Sequence, residues 1–97
     1  MPVEETVRDF LIQKAAEDYS KYNDEELEEK RKELEAGLQS VLKPYLSRKE
    51  FDEIKRVLTE MMGKIDSSIY DKRFAEKVKR TLVRVLNWCH AWERLRA

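Results

Sequence analysis

Four cations near the C-terminus have a spacing that could bind a polyanion. They recur at intervals of three and four residues, so in a helix they fall within about a 60° arc, opposite the apolar side chains. A row of cations on one helix face can meet successive phosphates of a single- or double-stranded nucleic acid without reading its sequence. The spacing predicts a nucleic-acid-binding stripe made of Arg73, Lys77, Arg80 and Arg84.

The charge distribution offers a second interpretation of the same stripe. Residues 1–46 hold 12 acids and 7 bases, whereas residues 47–97 hold 8 acids and 13 bases, so halves of net charge −5 and +5 cancel. An acidic N-terminal helix can therefore neutralise the stripe within one chain or between two chains. The sequence leaves both interpretations open: the stripe faces phosphate, or it covers the acidic second helix.

Catalytic and metal-binding groups are scarce. Cys89 lies on the apolar face of its helix, which predicts a buried and inert thiol. His90 is the sole histidine, and the residue three positions before it is Asn87 rather than the glutamate of a carboxylate-bridged metal site. We therefore predict no catalytic residue, no metal ligand, no cofactor and no small-molecule substrate.

One catalytic pattern remains in the segment that joins Arg84 to His90. Its Arg-x5-His spacing resembles the Arg-x4-6-His motif of the all-helical HEPN ribonucleases. The resemblance covers two residues of the chain and implies metal-free RNA cleavage by this pair, usually completed across a dimer. Val85 follows the arginine where that family usually has a polar residue. A HEPN-like ribonuclease is accordingly the third functional interpretation.

Helices must position all of these groups, because apolar residues recur at three- and four-residue spacing and no segment alternates as a strand would. We predict an all-α fold, a four-helix bundle-like single domain with a long C-terminal helix. Leu38, Leu58, Val78 and Leu82 are expected in its core. The expected helices cover residues 3–22, 24–43, 48–64 and 69–96.

Local signals set these boundaries. Asn23 and Glu26 have the spacing of a capping box at the start of the second helix, and Ser47 and Glu50 have it at the start of the third. Pro44 is expected to end or kink the second helix, because proline lacks the backbone N–H that the helix needs. A serine at 67 or 68 is expected to start the fourth helix.

The length of the fourth helix predicts an interface. About 28 residues extend roughly 42 Å, against roughly 30 Å for each of the others, so the last two turns should overhang the bundle. Apolar side chains there need cover from a second chain, which predicts a homodimer or a larger assembly. The expected interface residues are Trp88, Trp92 and Leu95 in the overhang, Tyr45 beside Pro44, and Arg31 within a heptad seam.

Composition narrows the class of protein. One cysteine excludes an internal disulfide, and no apolar run approaches the roughly 20 residues of a membrane span. The acidic N-terminus does not resemble a signal peptide, so we expect a cytoplasmic protein. Charged residues make up 41% of the chain and amides number only four, a composition typical of thermophiles.

These observations favour binding over chemistry. The leading interpretation is a non-enzymatic accessory subunit of a ribonucleoprotein-type complex that touches the phosphate backbone through its last helix. In size and helical character the chain looks like the small helical subunits of CRISPR effector complexes. The alternative is a homo-oligomeric protein–protein adaptor or inhibitor with no nucleic-acid role.

Overall fold

The fold consists of helices alone, as the apolar periodicity predicts. The computed structural model describes residues 2–96, and no strand occurs among them. Leu38, Leu58, Val78 and Leu82 are completely buried, as expected. The helices are α1 (Val3–Ala15), α2 (Asp24–Ser47), α3 (Phe51–Met62), the short α4 (Ile65–Ser68) and α5 (Lys72–Arg96).

The four long helices form a bundle around one core. α2 and α3 each pack against both α1 and α5. Phe10 of α1 lies beside Gly37 of α2, while Thr6 binds Tyr45 through their hydroxyl groups, so these two helices are antiparallel. α5 runs antiparallel to α3, because Lys55 near the start of α3 reaches Glu93 near the end of α5.

The second helix is longer than predicted. Pro44 lies inside α2, which continues to Ser47. Pro44 cannot donate a helix hydrogen bond. Burial of the next two side chains, Tyr45 and Leu46, in the core offsets the free energy lost with that bond. α2 ends where Lys49 adopts a left-handed backbone conformation, with φ of 60°. Hydrogen bonds from Lys49 N to Leu46 O and from Glu50 N to Tyr45 O close the helix in a Schellman motif.

This ending corrects the predicted start of the third helix. Ser47 belongs to the last turn of α2, and no side chain caps α3, which starts at Phe51 rather than at residue 48. The carboxylate of Glu50 instead binds Arg48 at 2.7 Å. The Ser47–Glu50 capping box is therefore wrong, whereas the Asn23–Glu26 capping box is confirmed at the start of α2.

The first helix is shorter than predicted, because the chain turns away at Ala15. Tyr19 lies in the following loop and folds back onto the core, where its ring stacks on Phe74 at 3.8 Å between centroids. Its hydroxyl donates to the carbonyl of Lys14 at 2.6 Å, which satisfies an acceptor in the last turn of α1. This tertiary contact takes Tyr19 out of the helical stripe that the spacing predicts.

The last helix starts later than predicted. The hydroxyl groups of Ser67 and Ser68 donate back to the carbonyl of Lys64, so these serines belong to α4 and cap nothing. Asp71 instead accepts a hydrogen bond from the backbone N–H of Phe74 and caps α5. The expected overhang is not found. α2 has 24 residues and α5 has 25, so α2 is long enough to run beside the whole of α5.

Candidate binding surfaces

The stripe on α5 faces the acidic helix α2 along most of its length. Each ion pair joins residues 49 positions apart, so α2 and α5 run parallel and in register. We call this set of contacts the ladder. Its pairs are Arg73 with Asp24 at 3.5 Å, Lys77 with Glu28 at 3.3 Å, and Arg84 with Glu35 at 2.7 Å.

Arg31 occupies the centre of the ladder. Its guanidinium group binds the carboxylates of Glu28 and Glu35, each at 2.8 Å. It also donates to the hydroxyl of Thr81 at 3.1 Å, and that fully buried hydroxyl donates in turn to the carbonyl of Lys77. A charge at a seam position needs partners, and this chain supplies them to Arg31 internally.

The ladder lowers the pKa of two carboxyl groups. Hydrogen bonds from Arg31 and then Lys77 lower the pKa of Glu28 to about 2. Hydrogen bonds from Arg84 and then Arg31 lower the pKa of Glu35. Both groups therefore favour the folded state when ionised. Their contribution is fully present above the unfolded-state pKa and is lost as the pH falls through the folded-state pKa.

We expect the ladder to be the main acid-sensitive element of the fold. A variant carrying Glu28→Gln and Glu35→Gln should be less stable than wild type at pH 7, and its stability should fall less between about pH 4.5 and pH 2. Urea unfolding at several pH values measures this. Asp9→Asn is the matched control, since Asp9 is exposed and forms no ion pair within residues 2–96. Parallel pH profiles for wild type and the double variant would contradict the assignment.

The remaining predicted site residues lie in different surroundings. Arg80 is exposed and is the one member of the stripe without an ion pair among residues 2–96. Tyr45 is buried, with the guanidinium group of Arg48 over its ring at 4.7 Å. Trp88 and Trp92 are half-buried against the chain's own core and meet edge to face at 6.1 Å. Leu95 is 86% exposed.

The groups considered for catalysis do not converge within one chain. α5 is continuous, so Arg84 and His90 point about 120° apart around its axis. Arg84 is moreover held by Glu35. Burial raises the pKa of the Cys89 thiol to about 11, which keeps it protonated near neutral pH. No group of three His, Cys, Asp or Glu side chains within residues 2–96 is arranged to hold a metal ion.

A surface that the sequence did not reveal lies beside the C-terminal half of α1. Helices α1, α3 and α4 form the walls of an apolar depression there, which is open to solvent and has a volume of about 510 Å³. We call it the groove. Two cations, Arg8 and Lys64, also line it. Its apolar lining consists of Leu11, Ile12, Ala15, Ala16, Met61, Ile65 and Ile69.

A smaller depression of about 250 Å³ shares the lining residue Ala15 with the groove. Tyr70, a fully exposed side chain, borders this second depression, and Ile12 of the groove is 59% exposed. One signal in the sequence pointed here: Ile12 follows Leu11 directly and so falls beside the apolar stripe of α1. The groove itself depends on where α1 ends and where α4 packs.

Within the described part of the chain, no helix combines the length and apolar character that crossing a bilayer requires. Comparison of the chain with protein-family models, with curated proteins and with solved structures gives no match. The ladder and the groove are therefore the two candidate functional surfaces of the chain.

Proposed function

We propose that this chain is a non-catalytic protein-binding module whose partner occupies the groove. The observation that carries the proposal is the position of Ile12 and Tyr70. Both belong to the exposed large hydrophobic side chains, and they border two depressions that share Ala15. Leaving such side chains in water costs free energy that a partner can recover, and aromatic side chains often anchor interfaces.

The state of the stripe supports a protein partner over a nucleic acid. Arg73, Lys77 and Arg84 already contact carboxylates of α2. Phosphates would have to compete with carboxylates that are held in place, and only Arg80 would meet them without breaking an ion pair. The role of accessory subunit in a larger assembly fits the proposal, with contact through protein rather than through phosphate.

The proposal can be tested without a known partner. We would select peptides from a random library on the immobilised full chain and then measure their affinity for variants. Ile12→Gln and Tyr70→Ser should each weaken the selected peptides roughly tenfold or more, because truncating an anchor costs at least about 1–2 kcal/mol. Both side chains are exposed, so the fold should tolerate the changes.

Val83→Gln is the matched control. Val83 is 45% exposed on α5 and does not line the groove, so this change removes exposed apolar surface elsewhere and should leave affinity unchanged. Selected peptides that bind wild type, Ile12→Gln and Tyr70→Ser equally would show that the groove is not the binding surface.

A further inference from the structure

Each of the two cations of the groove follows a glutamate by four residues but does not pair with it. Arg8 follows Glu4 within α1, where this order favours an ion pair. Lys64 follows Glu60 but lies just past the end of α3, between α3 and α4. Neither cation forms an ion pair with any residue between 2 and 96.

Arg56 competes with these two cations for the carboxylates of Glu4 and Glu60. It lies on α3 outside the groove, and its guanidinium group is 3.9 Å from the carboxylate of Glu4 and 2.8 Å from that of Glu60. It also binds Glu53. The two carboxylates best placed to neutralise the groove are therefore held on the side of Arg56. Arg8 and Lys64 keep their charges available beside an apolar surface.

Three acids border the smaller depression, and two of them are paired with cations. Asp71 lies 3.6 Å from Arg73, and Glu17 lies 3.6 Å from Lys30. Asp18 accepts hydrogen bonds from Ser20 and keeps its charge. The groove itself has no acid among its described lining residues, where Arg8 and Lys64 carry the charge, so a partner that brings carboxylates would complement it.

From this charge pattern we infer that the partner of the groove is an acidic amphipathic helix. An apolar stripe would cover Ile12 and its neighbours, and carboxylates would lie opposite Arg8 and Lys64. From Arg8 to Ala16 the exposed edge of α1 extends about 12 Å, which matches about two turns of a partner helix. The inference rests on the proposed function and adds the chemistry of the partner to it.

The test uses two synthetic peptides with blocked termini and the full chain. Both peptides carry leucines at i, i+3, i+4 and i+7, and they differ only in having glutamates or lysines on either side of that stripe. Wild type should bind the glutamate peptide roughly tenfold more tightly, with a preference that weakens as salt rises. A variant with Arg8→Glu and Lys64→Glu should prefer the lysine peptide.

Arg56→Gln tests the charge pattern through a residue that lies outside the groove and would not itself contact the peptide. Release of Glu4 and Glu60 should let them pair with Arg8 and Lys64, so the preference for the glutamate peptide should shrink several-fold. Arg48→Gln is the matched control. Arg48 is also exposed and paired with a glutamate, but it lies away from the groove, so its loss should not alter the preference.

Three results would overturn the inference. Equal affinity for both peptides in wild type and in the charge-reversed variant, with Ile12→Gln still abolishing binding, would refute acid recognition and leave the proposed function standing. A wild-type dimer at tens of micromolar that Ile12→Gln converts to a monomer would assign the groove to a second copy. Binding of the glutamate peptide that does not depend on Ile12 would refute the inference together with the proposed function.

Discussion

Replacing Phe74 by alanine is expected to lower the free energy of unfolding by about 3–5 kcal/mol. The ring is fully buried and stacks on Tyr19 in the loop between α1 and α2. Its removal leaves a cavity beneath that loop and frees the hydroxyl of Tyr19 from its position against the carbonyl of Lys14. The loss is a large part of the total stability of a domain this small.

Urea unfolding followed by circular dichroism measures this change. Because Phe74→Ala could leave too little folded protein for a fit, Phe74→Leu is measured beside it and should cost clearly less, since leucine fills part of the cavity. A loss below 1 kcal/mol for Phe74→Ala would mean that Tyr19 does not rest on this ring and that the loop is packed elsewhere.

Leu82→Ala should cost about 2–5 kcal/mol, whereas the adjacent Val83→Ala should change stability by no more than about 0.5 kcal/mol. Leu82 is fully buried in the core, and Val83 is 45% exposed on the outer side of the same helix. The pair therefore tests how α5 is rotated about its axis with two neighbouring residues and the same measurement.

The rotation of α5 also determines where the stripe points. Comparable losses for Leu82→Ala and Val83→Ala would contradict the face assigned to the core, and the ladder between α2 and α5 would lose its basis. A large loss at Leu82 alone agrees with a stripe that lies against the acidic helix.

The features predictable from the sequence were those that depend on local pattern. Three- and four-residue apolar spacing placed Leu38, Leu58, Val78 and Leu82 in the core, where all four are fully buried. The Asn23 capping box likewise needs only residues three apart, and it forms as predicted. Local signals of this kind act on the isolated chain and carry over into the fold.

The predictions that failed concern features that depend on tertiary contacts. Burial of Tyr45 and Leu46 carries α2 past Pro44, and stacking on Phe74 draws Tyr19 out of α1. The end of α2 could not be predicted for a different reason. A Schellman motif usually has glycine or asparagine in the left-handed position, whereas here Lys49 occupies that position.

The candidate sites likewise combine features that the sequence predicts with features that depend on packing. Composition revealed a basic stripe and an acidic helix but not whether they meet, because the register of α2 against α5 is a property of the packed bundle. The groove could not be predicted from the sequence, since it forms where α1 stops at Ala15 and where the short α4, which packs against α5, follows α3. Arg8 and Lys64 form no ion pair among residues 2–96, while Glu4 and Glu60 lie near Arg56; the sequence did not reveal this arrangement.

The most direct test of the central claim, that a protein partner binds in the groove, is a map of backbone amide shifts by NMR. The uniformly ¹⁵N-labelled full chain is titrated with the glutamate peptide. Binding in the groove should give the largest shifts at residues 8–16 and at residues 61–70, with little change along the stripe of α5. Shifts concentrated between Arg73 and Arg84, or no shifts at residues 8–16 and 61–70 at a saturating concentration of the peptide, would contradict the claim.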